Sequence, residues 1–170
     1  MRAYGKQGAC ADKDDIEVLM LREISIVGIG QLPVKKTYSR SLRELGAEAV
    51  RTAMHDAGVD KVDAIFVGNM LSDELQNQKH LGALIADQAG LTGVEALAVR
   101  AASASGAAAL RIAHLAVASG EADLAVTVGV EKMSEGVATP AMAKALDSRE
   151  EVARGSNMIT RNANLTAHIS

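Results

Sequence analysis

At 170 residues the chain has the length of one domain and enough of it to bury a core. Its 18 basic and 21 acidic residues are interspersed and leave a net charge of -3, with no basic stripe for nucleic acid and no polybasic anchor for a membrane. Cys10, the single cysteine, excludes an intrachain disulfide framework and a cysteine-based metal cluster, and a reducing cytoplasm is its simplest setting.

Residues 1–21 read as an extension ahead of the fold: they carry Asp12, Asp14 and Asp15 and lack the apolar segment of a signal peptide. Met20 stands immediately before the first structured element, so a translation start there is an expectation that the intact mass of the native product decides. Nor does any run of 18 apolar residues occur that would cross a membrane. The hydrophobic fraction is 48% but aromatics are 2%, so the core must be built from Ala, Val, Ile, Leu and Met.

Glu23 to Ile29 (EISIVGI) is short and rich in Ile and Val, which predicts a first strand closed by Gly28 and Gly30 with Pro33 beyond. Ser41 and Glu44 match the S-x-x-E capping box. With the apolar stripe Leu42, Leu45, Ala49, Ala53 and Met54, and Gly58 at the C-cap, they predict a helix from Ser41 to Ala57. Val62 to Val67 then reads as a strand, Gln78 to Ala89 as a helix stopped by Gly90, and Ala96 to Val99 as a strand. Ser103 to Ser119 reads as an Ala-rich helix ended by Gly120, and Leu124 to Val128 as a strand followed by Gly129.

Near-continuous apolar strands alternating with helices predict an α/β fold, a mostly parallel sheet of four strands covered by helices on both faces. In such sheets the chemistry collects beyond the carboxyl ends of the strands. The segment Val99-Arg100-Ala101-Ala102-Ser103-Ala104-Ser105-Gly106 is the one to inspect, since a strand end there runs into small residues at a helix start. The free N–H groups and positive dipole end of a helix stabilise a developing anion in its first turn, which makes Ser103 or Ser105 a candidate nucleophile. An ordinary helix cap at Ser103 accounts for the same spacing.

The stretch VRAASASGAAALRIAHLAVASGEADLAVTVGVEKMS resembles the thiolase segment in which a Cys-x-Ser-Gly element opens a buried helix and Gly-x-Glu-x-Met-Ser closes the next strand. The similarity extends back through HLGALIADQAGL, VDAIFVGNM, SLRELGAEAV and REISIVGIG, over roughly residues 22–135 in register, nearest the archaeal-type and sterol-carrier-type members. The resemblance implies a thiolase N-terminal domain over 22–133 and the start of the family's loop region over 134–170. The sequence stops at Ser170 without a closing strand, as a truncated half of the layered fold would.

By the same resemblance, the function is acyl transfer on acyl-CoA thioesters, by Claisen condensation or thiolysis, with CoA as substrate and no resident cofactor or metal. Ser103 takes the place of the family's nucleophilic cysteine, and Ser105 and Gly106 shape the turn beside it. The family's catalytic His and second Cys come from a C-terminal half, and none of His55, His80, His114 and His168 matches that His motif. Arg100 stands where the resemblance implies an Asn, Glu or similar small polar group. The strand before Ser103 and its helix are expected to face a partner copy in a homo-oligomer. A cysteine with an unperturbed pKa of about 8.5 becomes a thiolate near neutral pH far more readily than a serine hydroxyl ionises. The alternative reading is therefore a non-catalytic thiolase-like subunit with an interaction role.

Other readings fit less well. Gly28-Ile29-Gly30 lacks the third glycine of a dinucleotide-binding turn, Pro33 standing there, and G-x-S-x-G is absent because Ala101 and Ala102 precede Ser103. A β-ketoacyl synthase shares the architecture; GVEKMS and HLGALIAD favour thiolase.

Overall fold

The computed structural model describes residues 22–35 and 37–133; the expected extension over 1–21 and the loop region over 134–170 lie outside them. In chain order the elements are α1 (Leu42–Ala57), β1 (Ala64–Gly68), α2 (Ser72–Gln76), α3 (Leu81–Ala89), β2 (Glu95–Val99), α4 (Ser105–Ser119) and β3 (Ala125–Gly129). The three strands form one parallel sheet in the order β2-β1-β3.

β1 is central and buried along its whole length, because both of its faces are covered. Ile65 and Val67 point into a core with Leu42, Val50 and Met54 of α1, Leu81 and Ile85 of α3, and Val126 and Val128 of β3. Ala64 and Phe66, on the opposite face, meet Ala109 and Ala113 of α4. One large aromatic against alanines lets α4 lie close to the sheet, and this closeness brings the start of α4 directly over the end of β1.

Helix α1 begins as its sequence dictates. The Ser41 Oγ accepts from the Glu44 N–H at 3.4 Å while the Glu44 carboxylate accepts from the Ser41 N–H at 2.7 Å, and Gly58 closes the helix at φ 69°. The hydrogen bonds from Ser41 hold the Glu44 carboxyl below its ordinary value.

Two expectations need correction. Glu23 to Ile29 joins no ladder, so among the described residues the sheet has three strands rather than four. The segment runs across α1 instead: a Cβ on Gly28 would stand 2.5 Å from the Ala53 carbonyl oxygen, and one on Gly30 would stand 2.6 Å from that of Ala49. Its glycines serve close approach to a helix, its Ile29 N–H donates to Asp56 at 2.8 Å, and Ile26, Val27 and Ile29 are left exposed. The helix expected from Gln78 starts at Leu81, because Asn77 and His80 take left-handed conformations (φ 50° and 55°) and separate it from the short α2.

Asp63 joins the entrances of the strands. Its carboxylate accepts from the Asp123 and Leu124 N–H groups, both at 2.9 Å, and these bonds, Leu124 first, hold its carboxyl below the ordinary aspartate value. A carboxyl lowered by folding contributes stability above its unfolded pKa and loses it as pH falls through the folded one. Asp63→Asn is expected to lower the thermal midpoint at pH 7. The gap from the parent should close in acid, below the ordinary aspartate pKa of about 3.9. A pH series of melting curves checks this.

No helix among the described residues is long and apolar enough to cross a membrane.

Candidate active site

Strand β2 ends at Val99, and Ala101–Ala104 make a tight turn before α4. The Ala104 N–H donates to the Ala101 carbonyl at 2.9 Å and the Ser105 N–H to that of Ala102 at 3.2 Å. Ala102 sits in the left-handed region at φ 48°, which disfavours any residue with a Cβ and persists only where neighbours over-determine it. Ser105 supplies that constraint. Its buried hydroxyl accepts from the Ala101 N–H at 2.9 Å and donates to the Ala102 carbonyl at 2.7 Å.

Of the two serines singled out by sequence, Ser105 is thus committed to closing the turn. Ser103 lies two residues ahead of α4 rather than in its first turn, exposed, and among the described residues nothing hydrogen-bonds its hydroxyl. The Gly106 and Ala107 N–H groups that follow have no acceptor among the described residues, so the positive end of α4 is open beside Ser103. Gly68, the last residue of β1, lies beneath: a Cβ there would be 2.6 Å from the Ser105 carbonyl oxygen.

The carboxyl ends of all three strands are stitched together around this turn. Asn69, buried just after β1, donates through Nδ2 to the Val130 carbonyl at 2.8 Å and to Glu131 at 3.0 Å, and accepts from the Ser72 N–H at 3.0 Å. Glu131, just after β3, also accepts from the Met70 N–H at 2.9 Å and the Leu71 N–H at 3.3 Å. Arg100, just after β2, pairs with Asp73 of α2 at 2.5 Å. That hydrogen bond holds the Asp73 carboxyl below its ordinary value and raises the Arg100 guanidinium above its own.

A family model, the thiolase N-terminal domain, matches residues 24–167. The chain belongs to the thiolase family. It is 41% identical over 138 residues to the acetyl-CoA acetyltransferase of Methanothermobacter thermautotrophicus, covering 79% of this chain and 36% of that protein. The acetyl-CoA acetyltransferase of Methanocaldococcus jannaschii matches equally, at 41% over 138 residues, 79% of this chain and 35% of the relative. Human sterol carrier protein 2 is 31% identical over 125 residues, 71% of this chain and 22% of its own length. The chain therefore spans about a third of the length of the acetyltransferases it matches. In fold it is similar to 3-oxoacyl-[acyl-carrier-protein] synthase III from Aquifex aeolicus, with a TM-score of 0.54 and 24% identity over 59% of this chain and 33% of that one.

Within this thiolase domain, Asn69 and Glu131 lie in the VDAIFVGNM and GVEKMS motifs, whose pattern alone assigns them no role; each follows a strand, which is the signal that points to them. His55, His80 and His114 make no hydrogen bond to Ser103, and His168 lies outside the described residues. An open cleft of about 490 Å³, lined by Asp73, Asn77, Gln78, Lys79, His80, Ala83 and Leu84, lies on the α2–α3 side of the Arg100–Asp73 pair.

Proposed function

We propose that this chain is the N-terminal part of a thiolase-type acyltransferase acting on acyl-CoA thioesters, with Ser103 at the acyl-accepting position. The observation that carries the reading is the exposed Ser103 on a turn that Ser105 closes, beside the open N–H groups of α4 and at the carboxyl ends of the parallel strands. In the acyl transfer, the Ser103 oxygen attacks the thioester carbonyl, the carbon–sulfur bond breaks, and CoA leaves as the thiol carrying the hydroxyl proton. Helix N–H groups favour the negative charge that develops on the way. The acyl group then passes to a second nucleophile, a CoA-bound carbanion in condensation or CoA itself in thiolysis.

A second reading has its own observation. The Ser103 hydroxyl meets no base among the described residues, which favours a chain that binds or assembles without turning over. Incubation of the chain and of its Ser103→Cys variant with acetyl-CoA, read as the gain of one acetyl group by mass, separates the two: acylation at residue 103 of the parent chain supports the first, and acylation only in the variant supports the second.

The chain is further proposed to form a homo-oligomer, in the cytoplasm, through β2 and α4. β2 is an edge strand, and Leu97, Leu110 and Leu115 are 44%, 51% and 44% exposed on these two elements. Leu110→Lys is expected to shift the chain to monomer in sedimentation while leaving its melting behaviour intact.

A further inference from the structure

We infer that Arg100 is a positioning residue of electrostatic kind: it offsets the carboxylates gathered at the strand ends, so that the nucleophile position three residues on does not sit in a net negative field. This rests on the reading of residue 103 as the acyl-accepting position. Three carboxylates converge here. Asp73 and Glu74 lie in the first turn of α2, and Glu131 is held by the Asn69 side chain and by the N–H groups of Met70 and Leu71. Arg100 donates to Asp73 at 2.5 Å, and Glu131 and Glu74 act on it through space.

On the remaining sides, Lys79 acts on Asp73, while α4 brings Arg111 and His114 only in its later turns. Lys132 follows Glu131, but its ammonium donates to the Arg40 carbonyl at 3.0 Å, so among the described residues Arg100 is the cation that hydrogen-bonds a carboxylate of the strand-end cluster. The Cα of residue 103 is at most about 11 Å from that of Arg100 along the chain. Its neighbours make the charge matter chemically, since an attacking group here must become more negative, and uncompensated carboxylates oppose that.

The side chains of the pair are 42% and 24% exposed, so water and salt weaken the effect without abolishing it. Coulomb's law at this range and an intermediate dielectric gives about a fivefold effect on the population of an anionic nucleophile.

The test uses the full chain carrying Ser103→Cys, with iodoacetamide as the probe and the peptide containing residue 103 read by mass, so that Cys10 does not contribute. Arg100→Gln is expected to slow alkylation at pH 7 about fivefold and to move its pH midpoint upward. Arg100→Lys should keep both within twofold or so, and the double variant Arg100→Gln/Asp73→Asn should recover most of the loss. In about 1 M salt, where screening reaches 3 Å or so, the difference should collapse.

A loss in Arg100→Gln that survives high salt, or that the double variant deepens in step with a lowered melting temperature, would mean that the pair acts as a mechanical tie and would overturn the inference. Unchanged alkylation in Arg100→Gln would overturn it too. Acylation by acetyl-CoA, measured alongside, stands apart: its failure with a normal alkylation pattern rejects the acyl-accepting reading and leaves the field of Arg100 measured.

Discussion

Gly68→Ala is expected to destabilise the domain by about 3 kcal/mol, the upper end of the usual cost of overpacking. The added Cβ would meet the Ser105 carbonyl oxygen at 2.6 Å and the Ser105 carbonyl carbon and Gly106 Cα at 2.7 Å each. All three are backbone atoms, so no side chain can swing aside. Nor can β1 retreat, because Gly68 is paired with Val99 on one side and Gly129 on the other. The strain must fall on the start of α4 and on the turn that Ser105 closes.

Denaturant unfolding should show the loss, and residue 103, as cysteine, should at the same time alkylate more slowly. Gly106→Ala is the matched control: nothing lies within 4 Å of its added Cβ, and alanine is favoured over glycine in a helix by about 0.5–1 kcal/mol. A Gly68→Ala domain as stable as the parent would mean that β1 does not support the turn.

How much of this was legible in the sequence depends on the range over which each feature is determined. Helix α1 was legible to its cap, because Ser41, Glu44 and Gly58 act within a few residues of one another. Strands β1, β2 and β3 were located by their apolar runs, each within two residues of its observed bounds. Glu23 to Ile29 was misread for a physical reason. Ile and Val report that a segment suits a pleated surface, not that a strand edge is available to it. Gly28 and Gly30, taken as strand closure, are where the segment touches α1.

The site divides in the same way. The turn proposed to carry the nucleophile was legible as a strand end, small residues and a helix start, all local. Which serine closes the turn was not legible in the local pattern, and only the family resemblance pointed to Ser105. Ser105 reaches back three residues to the Ala102 carbonyl, a bond that competes with a regular helix start and defers α4 to Ser105 itself. The Arg100–Asp73 pair and the Asn69–Glu131 bond span 27 and 62 residues, and nothing in a sequence pattern reaches that far.

Ser103→Cys carries the other large expected effect. A serine hydroxyl without a base forgoes the 10²–10⁴-fold or so that general-base assistance contributes. A thiol, with a pKa of about 8.5 lowered further by a helix N-terminus, needs much less assistance. The exposed turn position and the open N–H groups of Gly106 and Ala107 are already in place for it. Acylation by acetyl-CoA should therefore be at least about a hundredfold faster in Ser103→Cys than in the parent chain. A slow but measurable rate in the parent chain supports the acyltransferase, and acylation confined to the variant supports the alternative, a subunit that binds or assembles.

The most direct measurement is the mass of the peptide containing residue 103 after the Ser103→Cys chain has been incubated with acetyl-CoA at neutral pH. An acetyl group on that residue, absent from the peptide containing Cys10 and absent when Gly68→Ala is added, is the predicted result. Equal acetylation of Cys10 and residue 103, or none at either, would contradict an acyl-accepting turn at the start of α4.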